Sequence, residues 1–98
     1  MITSKQRSFL KKLAHDLDPI VYIGKNDLTD NILNEIDTLL ELRELVKVKI
    51  QEGSLLDPKE TANEIAADLK AEFVQAIGRK FTLYRKSKEN PQIVLPRK

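Results

Sequence analysis

The chain contains no cysteine and no tryptophan, and only one histidine, three glycines and 5% aromatic residues among its 98 positions. Without cysteine there can be no disulfide and no thiolate nucleophile. A single histidine leaves too few soft ligands for a transition-metal centre, so neither metal nor cofactor is expected. No apolar run approaches the roughly 18 residues that a membrane span requires. The opening Met1-Ile2-Thr3-Ser4-Lys5 has no apolar stretch and no small-residue cleavage site. A cytoplasmic location without a membrane partner is therefore the expectation. The glycine-dependent signatures GxSxG, GxxxxGK[ST] and GxGxxG are missing, as is HExxH. The carboxylates sit at outward-facing helical positions, a pattern that gives solubility and not an acid/base pair. No enzyme activity is expected.

A hydrophobic content of 41% and a charged content of 33% describe one soluble domain spanning residues 1–98. A chain this short buries only roughly 60–65% of the surface its unfolded form exposes, enough for one modest core. The net charge of +2 conceals an uneven distribution. Residues 1–26 carry five basic groups against two acids, residues 27–72 five against twelve, and residues 73–98 seven against one. If the fold joins the two basic ends, one side becomes electropositive and suits a polyanion.

The pattern predicts a first helix from Thr3 or Ser4 to about Leu17. Phe9, Leu10, Leu13, Ala14 and Leu17 form its apolar arc, and Lys5, Arg7, Lys11, Lys12 and His15 the opposite one. Ile20–Ile23 reads as a short buried strand stopped by Gly24. Thr29 caps a second helix with Asp30 in its first turn and Ile32, Leu33, Ile36, Leu39 and Leu40 as its stripe; Asn34, Glu35, Asp37 and Glu41 face water. Glu44 to Ile50 alternates as a strand, with Val46, Val48 and Ile50 on one face and Lys47 and Lys49 on the other. Asp57-Pro58-Lys59-Glu60 starts a third helix. Phe73–Ile77 and Lys80–Arg85 form a hairpin about Gly78-Arg79. Ser87–Pro91 reads as a solvated loop and Gln92–Pro96 as an extended tail. The order α-β-α-β-α-β-β predicts an α/β two-layer sandwich: a mixed four-stranded sheet with helices mainly on one side.

Three places carry candidate binding chemistry. Gly24, Lys25 and Asn26 lie between a strand and a helix start, where unpaired N–H groups and a cation can cradle a phosphate. The same residues also suit an ordinary connecting loop. Lys5, Arg7, Lys11 and Lys12 form a basic helix face, either a polyanion contact or a solvated surface. Arg79 and Lys80 follow a turn glycine, and Arg79 can meet a phosphate bidentately. His15 reads as a surface histidine. Tyr22 and Tyr84 suit half-buried sheet positions better than base stacking, and so few aromatics do not make a single-strand platform.

These residues resemble a known family. Thr3–His15, Pro19–Asn26, Leu28-Thr29, Arg43–Lys49, Ile77–Lys80, Leu83–Arg85 and Ile93–Pro96 are similar, in order, to YhbY-like proteins. These are the stand-alone bacterial form of the chloroplast RNA splicing and ribosome maturation (CRM) domain. The resemblance implies a fold similar to the C-terminal domain of translation initiation factor three, and association with precursors of the large ribosomal subunit. In that family the strand-to-helix loop is a GxxG, comparable to that of KH domains. Here Gly24, Lys25 and Asn26 match, but Asp27 replaces the second glycine. Aspartate tolerates left-handed backbone angles, yet its carboxylate repels a phosphate brought close.

The expected function is RNA binding in ribosome assembly, by a monomer that meets ribosomal particles and precursor large-subunit RNA. Phosphate contacts would position it and RNA shape would select the target. Two alternatives compete. One is a protein-interaction module on the ribosome, presenting Glu35, Glu41, Glu64 and Asp68 to a basic ribosomal protein. The other is a small phosphate-handling hydrolase, for which no nucleophile-activating group is evident.

Overall fold

The computed structural model describes residues 2–25 and 28–97. Its first helix, α1 (Ser4–His15), starts with a complete capping box. The Thr3 hydroxyl accepts from the Gln6 N–H at 3.2 Å, and the Gln6 side chain accepts from the Thr3 N–H at 3.0 Å. The helix ends two residues before Leu17, with Asp16 as C-cap. Pro19 disfavours helical angles at Asp18, so another turn has nothing to build on.

Then follow β1 (Val21–Ile23), α2 (Asp30–Arg43), β2 (Leu45–Ile50), α3 (Pro58–Leu69), β3 (Glu72–Ile77) and β4 (Lys80–Tyr84). Thr29 and Asp57 cap α2 and α3, each side chain accepting from the N–H three residues on. The sheet order is β1-β2-β4-β3. Strand β1 runs parallel to β2, while β4 is antiparallel to both β2 and β3. The last strand is thus inserted between the two that α3 connects, an order that local patterning does not encode.

Alternation in β2 decides what each face meets. Val46, Val48 and Ile50 are fully buried and join Ile36 and Leu40 of α2 and Ala62, Ile65 and Ala66 of α3. Alanines at two of these positions let α3 sit close to the sheet. Each fully buried leucine or isoleucine contributes about 1.5–3 kcal/mol relative to exposure. This helical layer and the mixed sheet make the expected two-layer sandwich. Helix α1 is the exception to one-sidedness. It packs Leu10 and Ala14 against Leu45, Val74 and Tyr84 on the opposite sheet face, joined by Ile93 and Leu95 from the C-terminal segment.

A register irregularity between Phe73 and Gln75 interrupts the β3–β4 pairing. Phe73 packs with the α2–α3 core, whereas the next residue, Val74, packs with α1. Gln75 then pairs with Thr82 and Ile77 with Lys80. A bulge of this kind places two successive side chains on one face and re-aims those that follow.

In the segment after β4, residues 88–92 are exposed, as a solvated loop should be, but its two ends are anchored to the fold. Ser87 is buried at 3% exposure, and Ile93 and Leu95 are packed. The Gln6 amide donates to the Pro96 carbonyl at 2.9 Å. The polar residues of the segment read as solvated in sequence, but two carboxylates distant in the chain accept their N–H groups. Glu44 is fully buried and takes N–H bonds from Ser87 at 2.8 Å and from Gln92 and Ile93 at 2.7 Å. Glu41, assigned to water in the sequence reading, accepts the Ser87 hydroxyl at 2.7 Å and the Lys88 N–H at 3.0 Å.

Burial alone would raise the Glu44 pKa; the donated N–H bonds and the Lys86 charge outweigh it and hold the group below its ordinary value. Glu41 is likewise lowered, first by the Lys88 N–H and then by the Ser87 hydroxyl. Burial and the neighbouring Glu44 charge push the Tyr84 phenol up. Glu44 ends α2 instead of opening β2, at φ 66°, a left-handed angle unusual for a residue with a Cβ. Its three N–H partners are what hold it there.

Candidate nucleic-acid interface

Because α1 covers only the Leu45–Tyr84 end, the other half of that sheet face is open. Its surface is written by strand alternation. Opposite the buried Val46, Val48 and Ile50 stand Lys47 and Lys49. Pairing sets Lys49 beside Tyr22 on one side and Lys80 on the other, with Ile77 beyond. The next row holds Lys47, Thr82 and Gln75. Strands lie about 4.8 Å apart, so each row is short enough for a single nucleotide segment to cross. Lys47, Lys49, Lys80, Gln75 and Thr82 line a shallow concavity of about 420 Å³, with Glu52 as the one carboxylate on its rim among the described residues.

A second groove runs along β3 and is lined by Arg7 and Lys11 of α1 and Lys59 of α3; it shares Gln75 and Ile77 with the first. The cations from the N-terminal helix and the terminal hairpin therefore converge, as the charge distribution suggested. They do so across the sheet, with the lysines of β2 completing the surface. Lys47 and Lys49 belong to the acidic middle of the chain and were not among the sequence candidates. The signal that finds them is their alternation with three buried valine and isoleucine positions.

The candidates divide in three ways. Arg7 and Lys11 join the interface, and Lys80 stands at its centre. Arg7 does not lie opposite the apolar arc: it is half-buried, and its Nε donates to the Phe73 carbonyl at 3.1 Å. The buried arc is Gln6, Leu10 and Ala14, centred differently from the predicted one because Gln6 serves the cap and Leu13 remains 41% exposed. At 100° per residue, Lys5 and Lys12 point away from the sheet. Both are exposed but outside the two grooves.

The glycine loop lies at the same end of the sheet as the hairpin turn. The Gln51 N–H bonds the Ile23 carbonyl and the Ile50 N–H bonds that of Arg79, each at 2.8 Å. Lys25 is exposed and passes over Gly53, where an added Cβ would stand 3.2 Å from its Cε. Gly24 does not have a positive φ, and a Cβ there would make ordinary contact with Gln51 at 3.5 Å. The left-handed glycines are Gly53 at φ 92° and Gly78 at φ 60°. Asn26, and Asp27 with it, lie outside the described residues.

Arg79 takes a different part from the one its sequence position suggests. Its Nη2 donates to the Gln51 and Ser54 carbonyls at 3.2 Å each, fastening the β2–α3 loop to the hairpin. A bidentate phosphate contact would compete with these bonds. The aromatics also separate. Tyr84 is buried at 5% exposure, as expected for a sheet tyrosine, but Tyr22 is 63% exposed. Strand β1 is an edge strand, and α1 packs mainly against β2 and β3.

Among the described residues, no cluster of three histidine, cysteine or acidic side chains could hold a metal ion, and no helix is long and apolar enough to cross a membrane. The acidic alternative keeps Glu35, Glu64 and Asp68 exposed, while Glu41 is engaged by residues 87–89.

Known proteins with this sequence pattern point the same way as the surface. The chain is 41% identical over 96 residues to a Bacillus subtilis protein named "Probable RNA-binding protein YqeI", covering 98% of this chain and 100% of that one. It is 43% identical to a Haemophilus influenzae protein named "RNA-binding protein", covering 99% of this chain and 97% of its relative. The solution structure of SAV1595 from Staphylococcus aureus superposes with a TM-score of 0.83 at 44% identity, over 98% of this chain and 100% of that one. The sequence profile of the CRS1/YhbY (CRM) domain matches residues 2–85. The chain belongs to the CRS1/YhbY (CRM) domain family.

Proposed function

We propose that this protein binds structured RNA and acts in assembly of the large ribosomal subunit, docking as a cytoplasmic monomer on precursor ribosomal RNA. It performs no covalent step and needs no cofactor. The observation that carries the reading is the continuous basic surface from Arg7 and Lys11, past Gln75 and Ile77, to Lys80, Lys49 and Lys47. Ammonium groups on a rigid sheet meet phosphates at fixed spacing, which positions an RNA without reading its sequence. The names of the relatives from Bacillus subtilis and Haemophilus influenzae support the RNA partner.

Filter binding across a salt series tests the mechanism. Neutralising about six phosphates gives a log–log slope of roughly −4 to −5. Lys11→Glu combined with Lys25→Glu should abolish binding; a flat salt response would contradict the reading. Crosslinking in cells with RNA sequencing, alongside sucrose-gradient position, tests the ribosomal assignment. Reads concentrated on precursor large-subunit RNA are expected. Reads spread evenly over messenger and transfer RNA would contradict it.

A further inference from the structure

The open half of the sheet is more than a charged surface. Its concavity of about 420 Å³ falls at the low end of the size range of small-ligand sites, roughly 300–1,000 Å³. Its floor carries the half-buried Gln75 side chain beside the buried Thr82, and its rim carries Lys47, Lys49 and Lys80. Apolar surface flanks it: Ile77 at 68% exposure on one side, and on the other the Tyr22 ring at 63%. The pairing Tyr22–Lys49–Lys80–Ile77 sets these four in one row across the sheet.

A paired helix cannot use this arrangement. It offers phosphates and 2′-hydroxyls on a convex surface, and its base faces are stacked inside. Phosphate contacts alone would be served by lysines on a flat strand, with no need of an amide floor or exposed ring. An unpaired nucleotide supplies every complement: a flat apolar face, polar edges and a flanking phosphate. The bulge at Phe73/Gln75 adds an independent argument. It re-aims Gln75 into the concavity, and bulges are enriched beside functional sites because they redirect a side chain.

Resting on the proposed RNA binding and deepening it, we infer that this half-sheet seats one unpaired nucleotide of the bound RNA. The base lies over Gln75, its phosphates meet Lys49 and Lys80, and the adjoining base rests on Tyr22. Glu52 on the rim repels phosphate and so directs the backbone toward the lysines. The preferred ligand is a stem with a bulge or open loop, not a continuous duplex.

The test measures fluorescence anisotropy of the full chain with a fully paired RNA duplex and with the same duplex carrying a two-nucleotide bulge. The bulged RNA should bind about tenfold more tightly. Tyr22→Ala and Gln75→Ala should each remove most of that difference, lowering affinity for the bulged RNA several times more than affinity for the duplex. Tyr22→Phe should retain it, because stacking needs the ring and not the hydroxyl. Circular dichroism of each variant reads folding separately. Equal affinity for the two RNAs, or a bulge preference untouched by Tyr22→Ala and Gln75→Ala, overturns the nucleotide seat while RNA binding stands. Failure of both RNAs to bind overturns the RNA reading itself, and the seat with it.

Discussion

The two ends of the sheet face that bears α1 use charge in opposite ways. At the open end, Lys47, Lys49 and Lys80 stand around a concavity with Glu52 also on its rim. At the covered end, Glu44 is fully buried and accepts three N–H bonds, and Glu41 gathers the start of the same C-terminal segment. Arg85 makes a similar structural use of charge on the α2–α3 side, pairing with Asp37 at 2.7 Å and donating to the Leu69 carbonyl at 2.9 Å. Charges that hold the fold together find partners within the molecule. Those lining the open grooves are less tied: Lys11 and Lys80 are exposed, Lys47 and Lys49 half-buried, and Arg7 keeps one bond, to the Phe73 carbonyl. Counting charges along the chain cannot separate the two classes, because both occur in every segment.

The sharpest way to break the comparison is to reverse charge at the open end. Lys49→Glu with Lys80→Glu should weaken RNA binding about 100-fold, roughly 2.7 kcal/mol. Thermal stability should fall by about 1 kcal/mol or less, since Lys80 is exposed and Lys49 only half-buried on the open sheet face. Filter binding and a melting curve on the same sample check both halves. A large loss of stability would mean that the lysines belong to the framework.

The converse substitution is Glu44→Gln. It keeps the shape but leaves an amide NH2 facing backbone N–H groups, and the loss of charged hydrogen bonds should cost about 2–3 kcal/mol. Urea denaturation should show that loss, and amide exchange should show release of residues 87–93. RNA affinity of the folded fraction should stay near wild type.

Acid should distinguish the ends more gently. Glu41 and Glu44 are both held below their ordinary value of 4.5 in the folded protein. Their stabilisation is complete above that value and is lost as pH falls through the lower folded-state values. Stability measured from pH 6 downward should therefore fall below about pH 4.5, and less steeply in Glu44→Gln. An equal slope in the variant would contradict this assignment. The smallest effect should come from Lys5→Ala with Lys12→Ala, which removes cations pointing away from the sheet. RNA affinity should drop less than about threefold, mainly through long-range attraction, and less still at high salt.

The fold was largely legible because local signals agreed. Thr29, and Asp57 followed by Pro58, mark helix starts; Val46, Val48 and Ile50 mark a strand; and Gly78 marks a turn. The insertion of β4 between β2 and β3 was not legible, since it depends on which edges pair after the chain collapses. The carboxylate anchors escaped for a related reason: Glu41 and Glu44 find their partners more than 40 residues away.

For the interface, Arg7, Lys11 and Lys80 were readable from charge. Lys47 and Lys49 were visible only as the outer positions of a strand, and were hidden by the acidic composition around them. Arg79 lines the concavity too, but a turn arginine gives no sign that loop carbonyls lie within its reach. Tyr22 misled because strand residues are usually covered, and its exposure follows from β1 being at the sheet edge.

The central claim is that RNA meets the open half of the sheet and leaves the carboxylate-anchored end untouched. Amide chemical-shift mapping during titration with a bulged RNA stem tests it in one experiment. Perturbations should gather at Tyr22–Lys25, Lys47–Lys49, Gln75–Thr82 and the Arg7–Lys11 turn of α1, with residues 41–44 and 85–95 silent. Shifts concentrated at the second set, with the first set unmoved, would contradict the account.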